Sequence, residues 1–266
     1  MTGVLHDIDV VLVAPRYLAG PGDPAWVTVP LHRACHWSTA EDPLVPRVIL
    51  TSPDQLAQLR MAPDPDPAEP WWNLRHAHHG DQRAWSMTFD AHTPVEIIAA
   101  VTDALTAPAP PPMTSDDPYA PLRAAGWHAP RHHDGHTSPQ GMTAPDGLAR
   151  VDRTVHEDGR TASWIVETSV HQLPAVWRAY VDGNTPPYLV SALFGAMADE
   201  TPLVREPHRV PHLASTQGRT SSGQVSADTL AFALERRTTA LAQRRTPPPP
   251  AVAPSSPNVP KPRRPR

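Results

Sequence analysis

One segment of this chain occurs twice, and that repetition limits the folds open to it more than any other feature. Moving residues 52–106 forward by 92 positions sets Trp72 on Trp164 and Trp85 on Trp177 without a gap. In the same frame Pro53 and Asp54 meet Pro145 and Asp146, and Asp90 meets Asp182. Thr93 and Pro94 likewise meet Thr185 and Pro186. Tryptophan is a rare residue, so two such matches in one gapless frame mark a duplicated module. These residues are its structural repeat anchors. Two similar units in one chain are expected to pack as an internal pseudo-dimer about an approximate two-fold axis.

Within each unit, alternation of apolar and polar residues predicts half-buried antiparallel strands. Trp85, Met87 and Phe89 fall on one side, and Trp177, Ala179 and Val181 on its counterpart. Residues 47–51, 56–61 and 72–76 read as further strands. The proline-spaced stretch 62–70 has no regular structure, because proline lacks an N–H and restricts the residue before it. A helix then closes each unit. Thr93, Pro94 and Glu96 fit a capping box, with Thr93 as the cap and Pro94 as the first helical residue. Ile97, Ile98, Val101 and Leu105 follow as an apolar stripe at helical spacing. The second copy repeats the stripe as Leu189, Val190, Leu193 and Met197. It has Tyr188 in place of the box's glutamate, which predicts a weaker cap.

Ahead of the first unit, residues 9–14 read as a buried strand, 26–29 as a second strand and 31–37 as a helical turn. The expected architecture is α+β: two tandem pseudo-symmetric modules, each an antiparallel β-sheet followed by one amphipathic helix. The first module with its lead-in covers 1–107, a proline-rich linker 108–118, and the second module 119–206. The remainder, 207–266, is loose, with one helix over 226–245 carrying Leu230, Leu234 and Leu241. A proline-rich, basic tail follows and is expected to be disordered.

Proline is the compositional outlier, with 36 residues, and Lys261 is the sole lysine. With the arginine excess, this reads as the imprint of a GC-rich genome. The single cysteine, Cys35, leaves no partner for an internal disulfide. Acids near the start and an apolar run limited to 10–14 argue against a signal peptide or membrane span, so the cytoplasm is the expected location. From Ser226 onward, eight basic residues face two acids, whereas the formal net charge of the whole chain is −4. An acidic body thus bears a basic tail: Arg236, Arg237, Arg244, Arg245, Lys261, Arg263, Arg264 and Arg266 are its candidate contacts with nucleic acid.

Candidate chemistry is sparse. His76, His78 and His79 form one cluster, and His128, His132, His133 and His136 gather with Asp134 in another. Their proline- and glycine-bearing surroundings lack the fixed geometry a metal site requires, so loop histidines are the expectation. Cys35 reads as a small buried hydrophobe, Ser52 as a turn residue, and Thr93 as a cap. No catalytic residue, cofactor or metal site is therefore expected.

Ser52, Pro53 and Asp54, the Trp71–Trp72 pair, Ala84–Trp85 and the run from Thr93 to Ala100 resemble the SPDY domain of actinobacterial proteins, a domain of unknown function. Arg16 to Gly20 and Val27 to His32 resemble the lead-in of the same proteins. The pattern departs at Gln55, where tyrosine is expected, and in the second copy at Ala144 and Gly147. The resemblance implies a bacterial protein and carries no established activity. The first functional expectation is a non-catalytic binding or scaffolding protein that recognises another protein through its paired sheets. A nucleic-acid-associated protein using the basic tail is the alternative, and an enzyme with a site near the His-rich loop comes third.

Overall fold

The computed structural model describes residues 7–41, 47–62, 70–109, 117–130, 140–169 and 175–245. The chain opens with β1 (Asp7–Val13) and α1 (Ala25–Arg33). It continues through β2 (Ser38–Glu41), β3 (Val48–Thr51), β4 (Ala57–Met61), β5 (Trp72–His76), β6 (Trp85–Phe89) and α2 (Val95–Leu105). The second copy runs α3 (Ala120–Ala124), β7 (Gly141–Thr143), β8 (Ala149–Val155), β9 (Thr161–Thr168), β10 (Trp177–Asp182) and α4 (Pro187–Ala198). Then come β11 (Leu203–Arg205), α5 (His212–Thr216), β12 (Thr220–Ser226), α6 (Ala227–Ala231) and α7 (Ala233–Arg245). Shifted by the repeat interval, β3 to β6 and α2 fall on β7 to β10 and α4.

The agreement extends to single hydrogen bonds in the turns after β3 and β7. Asp54 Oδ1 accepts from the Leu56 N–H, and Asp146 Oδ1 from the Leu148 N–H, both at 3.0 Å. Each turn needs a left-handed residue at its fourth position, met by Gln55 at φ 64° and Gly147 at φ 73°.

Antiparallel pairing merges both copies into one nine-stranded sheet, ordered β2-β3-β4-β5-β6-β10-β9-β8-β7. The join lies between equivalent strands. Thr88 opposes Tyr180, flanked by Phe89 against Ala179 and Met87 against Val181. Because Thr88 and Tyr180 are themselves repeat equivalents, the pseudo-two-fold axis passes through that pair. Helices α2 and α4 pack on each other over the same axis, with α1 against α2 and α3 against α4. Apolar residues of the alternating strands, such as Leu59, Leu74, Met87 and Val166, meet the helix stripes in one continuous core.

Three expectations need correction. Residues 26–29 are helical rather than a strand: they belong to α1, where Val27, Pro30 and Leu31 are buried at helical spacing. Asp23 starts that helix by accepting from the Ala25 N–H at 2.9 Å. Two valines gave residues 26–29 a strand-like look, and packing on α2 decided otherwise. The capping box is also absent. The cap position falls to Pro94 and Pro186, and neither makes a side-chain capping bond. Thr93, which precedes a proline, is held out of helical geometry, and Glu96 is drawn away to Arg205. Lastly, residues 207–245 are well organised, and two helices, α6 and α7, replace the single one. β1 runs between β11 and β12 in a separate three-stranded sheet, which ties the lead-in to residues beyond the second copy.

No helix among the described residues is long and apolar enough to cross a membrane.

Candidate functional site

The repeat anchors are structural. Trp72 and Trp177 are 1% exposed, and the Trp177 indole donates to the Tyr17 carbonyl at 2.8 Å. Trp85 is buried with His76 stacked on it, ring centroids 5.5 Å apart. Asp90 Oδ2 accepts from the Arg178 N–H at 2.9 Å, and Asp182 Oδ1 from the Asn184 N–H at 2.7 Å. Asp146 also accepts from the Tyr17 hydroxyl at 2.9 Å. Burial first, then that neighbouring carboxylate, pushes the Tyr17 phenol well above its usual range. The Thr93 and Thr185 hydroxyls are buried without a hydrogen-bond partner among the described residues.

Of the four candidate tail cations that the structure describes, Arg237 and Arg245 are partly buried, and Arg236 and Arg244 are exposed. Arg237 grips Asp103 through both terminal nitrogens at 3.0 and 2.8 Å, donates to the Trp26 carbonyl at 2.9 Å and lies over the Trp26 ring. Arg244 approaches the same carboxylate at 3.5 Å, Arg245 donates to the Thr106 carbonyl, and Arg236 to Thr229 at 2.6 Å. The Arg237 contacts, with the Arg33–Glu235 ion pair, dock α7 against α1 and beside α2. Cys35 is fully buried, and burial pushes its thiol up. Lys261, Arg263, Arg264 and Arg266 lie outside the described residues, as do His132, His133, Asp134 and His136.

Two surfaces are open. The first is the sheet face opposite the helices. Its centre carries Tyr180 and Ile165, paired directly across β10 and β9 and each 41% exposed. Beside them, Arg178 and Arg150 converge on Glu167 at 2.8 and 3.3 Å. Burial alone would raise the Glu167 carboxyl, but the Arg178 hydrogen bond and the two guanidinium charges outweigh it and hold it below its ordinary value. Arg75 bonds to Gln58 at 3.1 Å further along the same face.

The second surface is a cleft of about 960 Å³ on the helix side of the sheet, between the β8–β9 hairpin and the start of α4. Trp164, Tyr119 and Thr185 belong to its buried lining, with Arg83, Arg153 and Arg160 around them. Arg153 is held in place by a 2.9 Å bond from Nε to Thr161 Oγ1, and Arg160 by Asp158 at 2.6 Å. Arg83, on the connection between β5 and β6, meets no acid among the described residues. Burial pushes the Tyr119 phenol up to about 12, and its hydroxyl donates to the Gln140 carbonyl at 3.2 Å. The Trp164 N–H lies near enough to oppose that rise, yet it satisfies hydrogen-bond geometry with no acceptor. Sequence reasoning missed these cations. A signal was there: in the gapless frame Arg83 stands opposite Ala175, and Arg153 opposite Met61.

The SPDY domain, a domain of unknown function (DUF317), matches residues 51–111 and again 143–203, so the chain carries two copies of it. Those limits begin at the last residues of β3 and β7 and run past the ends of α2 and α4. Neither a curated protein nor a solved structure matches the chain.

Proposed function

We propose that this chain is a non-catalytic, cytoplasmic binding protein that engages a protein partner through the uncovered face of its nine-stranded sheet. The observation that carries this reading is the exposed Tyr180–Ile165 pair beside the pseudo-two-fold axis. An aromatic and a branched aliphatic side chain at the centre, ringed by arginines, form the anchor-and-rim arrangement on which protein contacts draw most of their energy. Two side chains weighed as nucleophiles, Ser52 and Cys35, are committed to structure. The Ser52 hydroxyl bonds to Asp54 at 2.5 Å and accepts from the Ala57 N–H at 2.9 Å, and the Cys35 thiol is enclosed. A buried, unpaired thiol also suits a reducing compartment.

The test is quantitative affinity capture with wild-type protein and with Tyr180→Arg/Ile165→Arg, whose fold is checked by thermal melting. A partner retained by wild type and lost from the double variant supports the reading. Partners captured equally by both, or retention of nucleic acid alone, would overturn it.

A further inference from the structure

We propose that the cleft at the start of α4 binds a small ligand carrying a polyphosphate group. Its size is that of a small-molecule site, and its polar lining is dominated by donors. Arg83, Arg153 and Arg160 surround it, with Asn184 at the rim and the Trp164 and Thr185 donors in the buried lining. Asp117, the acid in that lining, is ion-paired with Arg123. Such a set recognises oxyanions, because guanidinium groups bond phosphate oxygens in charge-assisted geometry.

Two further observations point to a ligand. Trp164 is 5% exposed, and its indole N–H is without a partner among the described residues. A buried donor without an acceptor is costly. The positive end of the twelve-residue helix α4 opens on the same space.

The first copy shows this position filled by the chain itself. There the Val95 N–H donates to the Pro21 carbonyl at 3.0 Å, and Gly22 packs against the Val95 side chain. In the second copy Pro187 replaces Val95 and has no N–H to donate, so that hydrogen bond has no counterpart there. The cations lie on the second-copy side, where Met61 and Ala175 are the counterparts of Arg153 and Arg83. A local cluster of positive charge on a chain of net charge −4 concentrates anions there against the overall field. A neighbouring groove of about 520 Å³ shares Arg83 and Asn184 and continues past Tyr188, giving room for the rest of the ligand.

Calorimetric titration at fixed ionic strength tests the site, with tripolyphosphate and with ATP as probes. Full-length wild type is compared with Arg83→Gln, Arg153→Gln and, as a control on the open sheet face, Arg75→Gln. The expected result is one site per chain, weakened about tenfold by each of the first two substitutions, the loss of one charge-assisted hydrogen bond. Arg75→Gln leaves it unchanged. Tighter binding of ATP identifies a nucleotide as the ligand class, and equal binding identifies the phosphate chain alone. Arg83 has no hydrogen bond or ion pair among the described residues, so Arg83→Gln keeps the test valid even where Arg153→Gln disturbs the hairpin. Absence of binding, or equal weakening by all three variants, overturns the proposal. Binding of single-stranded DNA without binding of either small probe also overturns it.

Discussion

Single backbone positions separate the two copies. Gln55 and Gly147 hold the same left-handed corner, but only glycine adopts it without a steric cost. Gly147→Ala should therefore destabilise the protein by about 1 kcal/mol, the penalty for a side chain in that region. Gln55→Gly should be neutral or stabilising. Urea midpoints of the two variants check this, and equal shifts of the same sign would contradict it. Gly183 is a stricter case: a Cβ there would collide with the carbonyl oxygens of Thr161 and Ala162. Glu167 governs the acid response. Its folded carboxyl sits below the ordinary 4.5, so its contribution to stability is present above about that pH and is lost as pH falls through the lower folded value. Glu167→Gln should flatten the acid limb of a plot of thermal midpoint against pH, and an unchanged limb would remove Glu167 from that role.

At the scale of elements, two contacts anchor segments outside the repeats. Arg205, on β11, donates to both carboxylate oxygens of Glu96 on α2, at 2.9 and 2.6 Å. It also donates to the Ala19 carbonyl at 3.0 Å. Both partners are nearly enclosed, so removing one leaves a buried charge unpaired. Glu96→Ala should cost about 3–5 kcal/mol in chemical denaturation, and a loss below 1 kcal/mol would show that water reaches Arg205. The docking of α7 is weaker and more local. Arg237→Gln should speed amide hydrogen exchange across residues 233–245 while the central strands stay protected. Uniform protection in the variant would mean that Leu241 and Thr238, both buried, hold the helix unaided.

The whole molecule is expected to unfold as one cooperative unit in this architecture. The sheet runs unbroken through the β6–β10 join, α2 packs on α4, and β1 is clasped between strands that follow the second copy. Phe89→Ala in the first copy should therefore lower one common unfolding midpoint rather than split the transition. Two separated transitions in calorimetry would show independent copies. An isolated fragment of residues 117–206 would expose the β10 edge and the apolar face of α4. It is expected to sediment as a self-paired dimer, and a folded monomer would count against a shared core.

Much of this was legible in the chain alone, for a local reason. Period-two and period-3.6 patterns are properties of neighbouring residues, so the strands around Trp72, Trp85, Trp164 and Trp177 and the helices α2 and α4 could be read directly. The gapless frame fixed their equivalence. Tertiary structure decided what depends on residues far apart: that Val27 and Val29 lie on a helix packed against α2, and that Glu96 answers Arg205 rather than its own helix end. It also decided that Arg237 reaches Asp103, and that equivalent strands meet edge to edge about Thr88 and Tyr180. The cleft belongs to this second class, because Arg83 of one copy and Arg153 of the other become neighbours only when β6 and β10 pair.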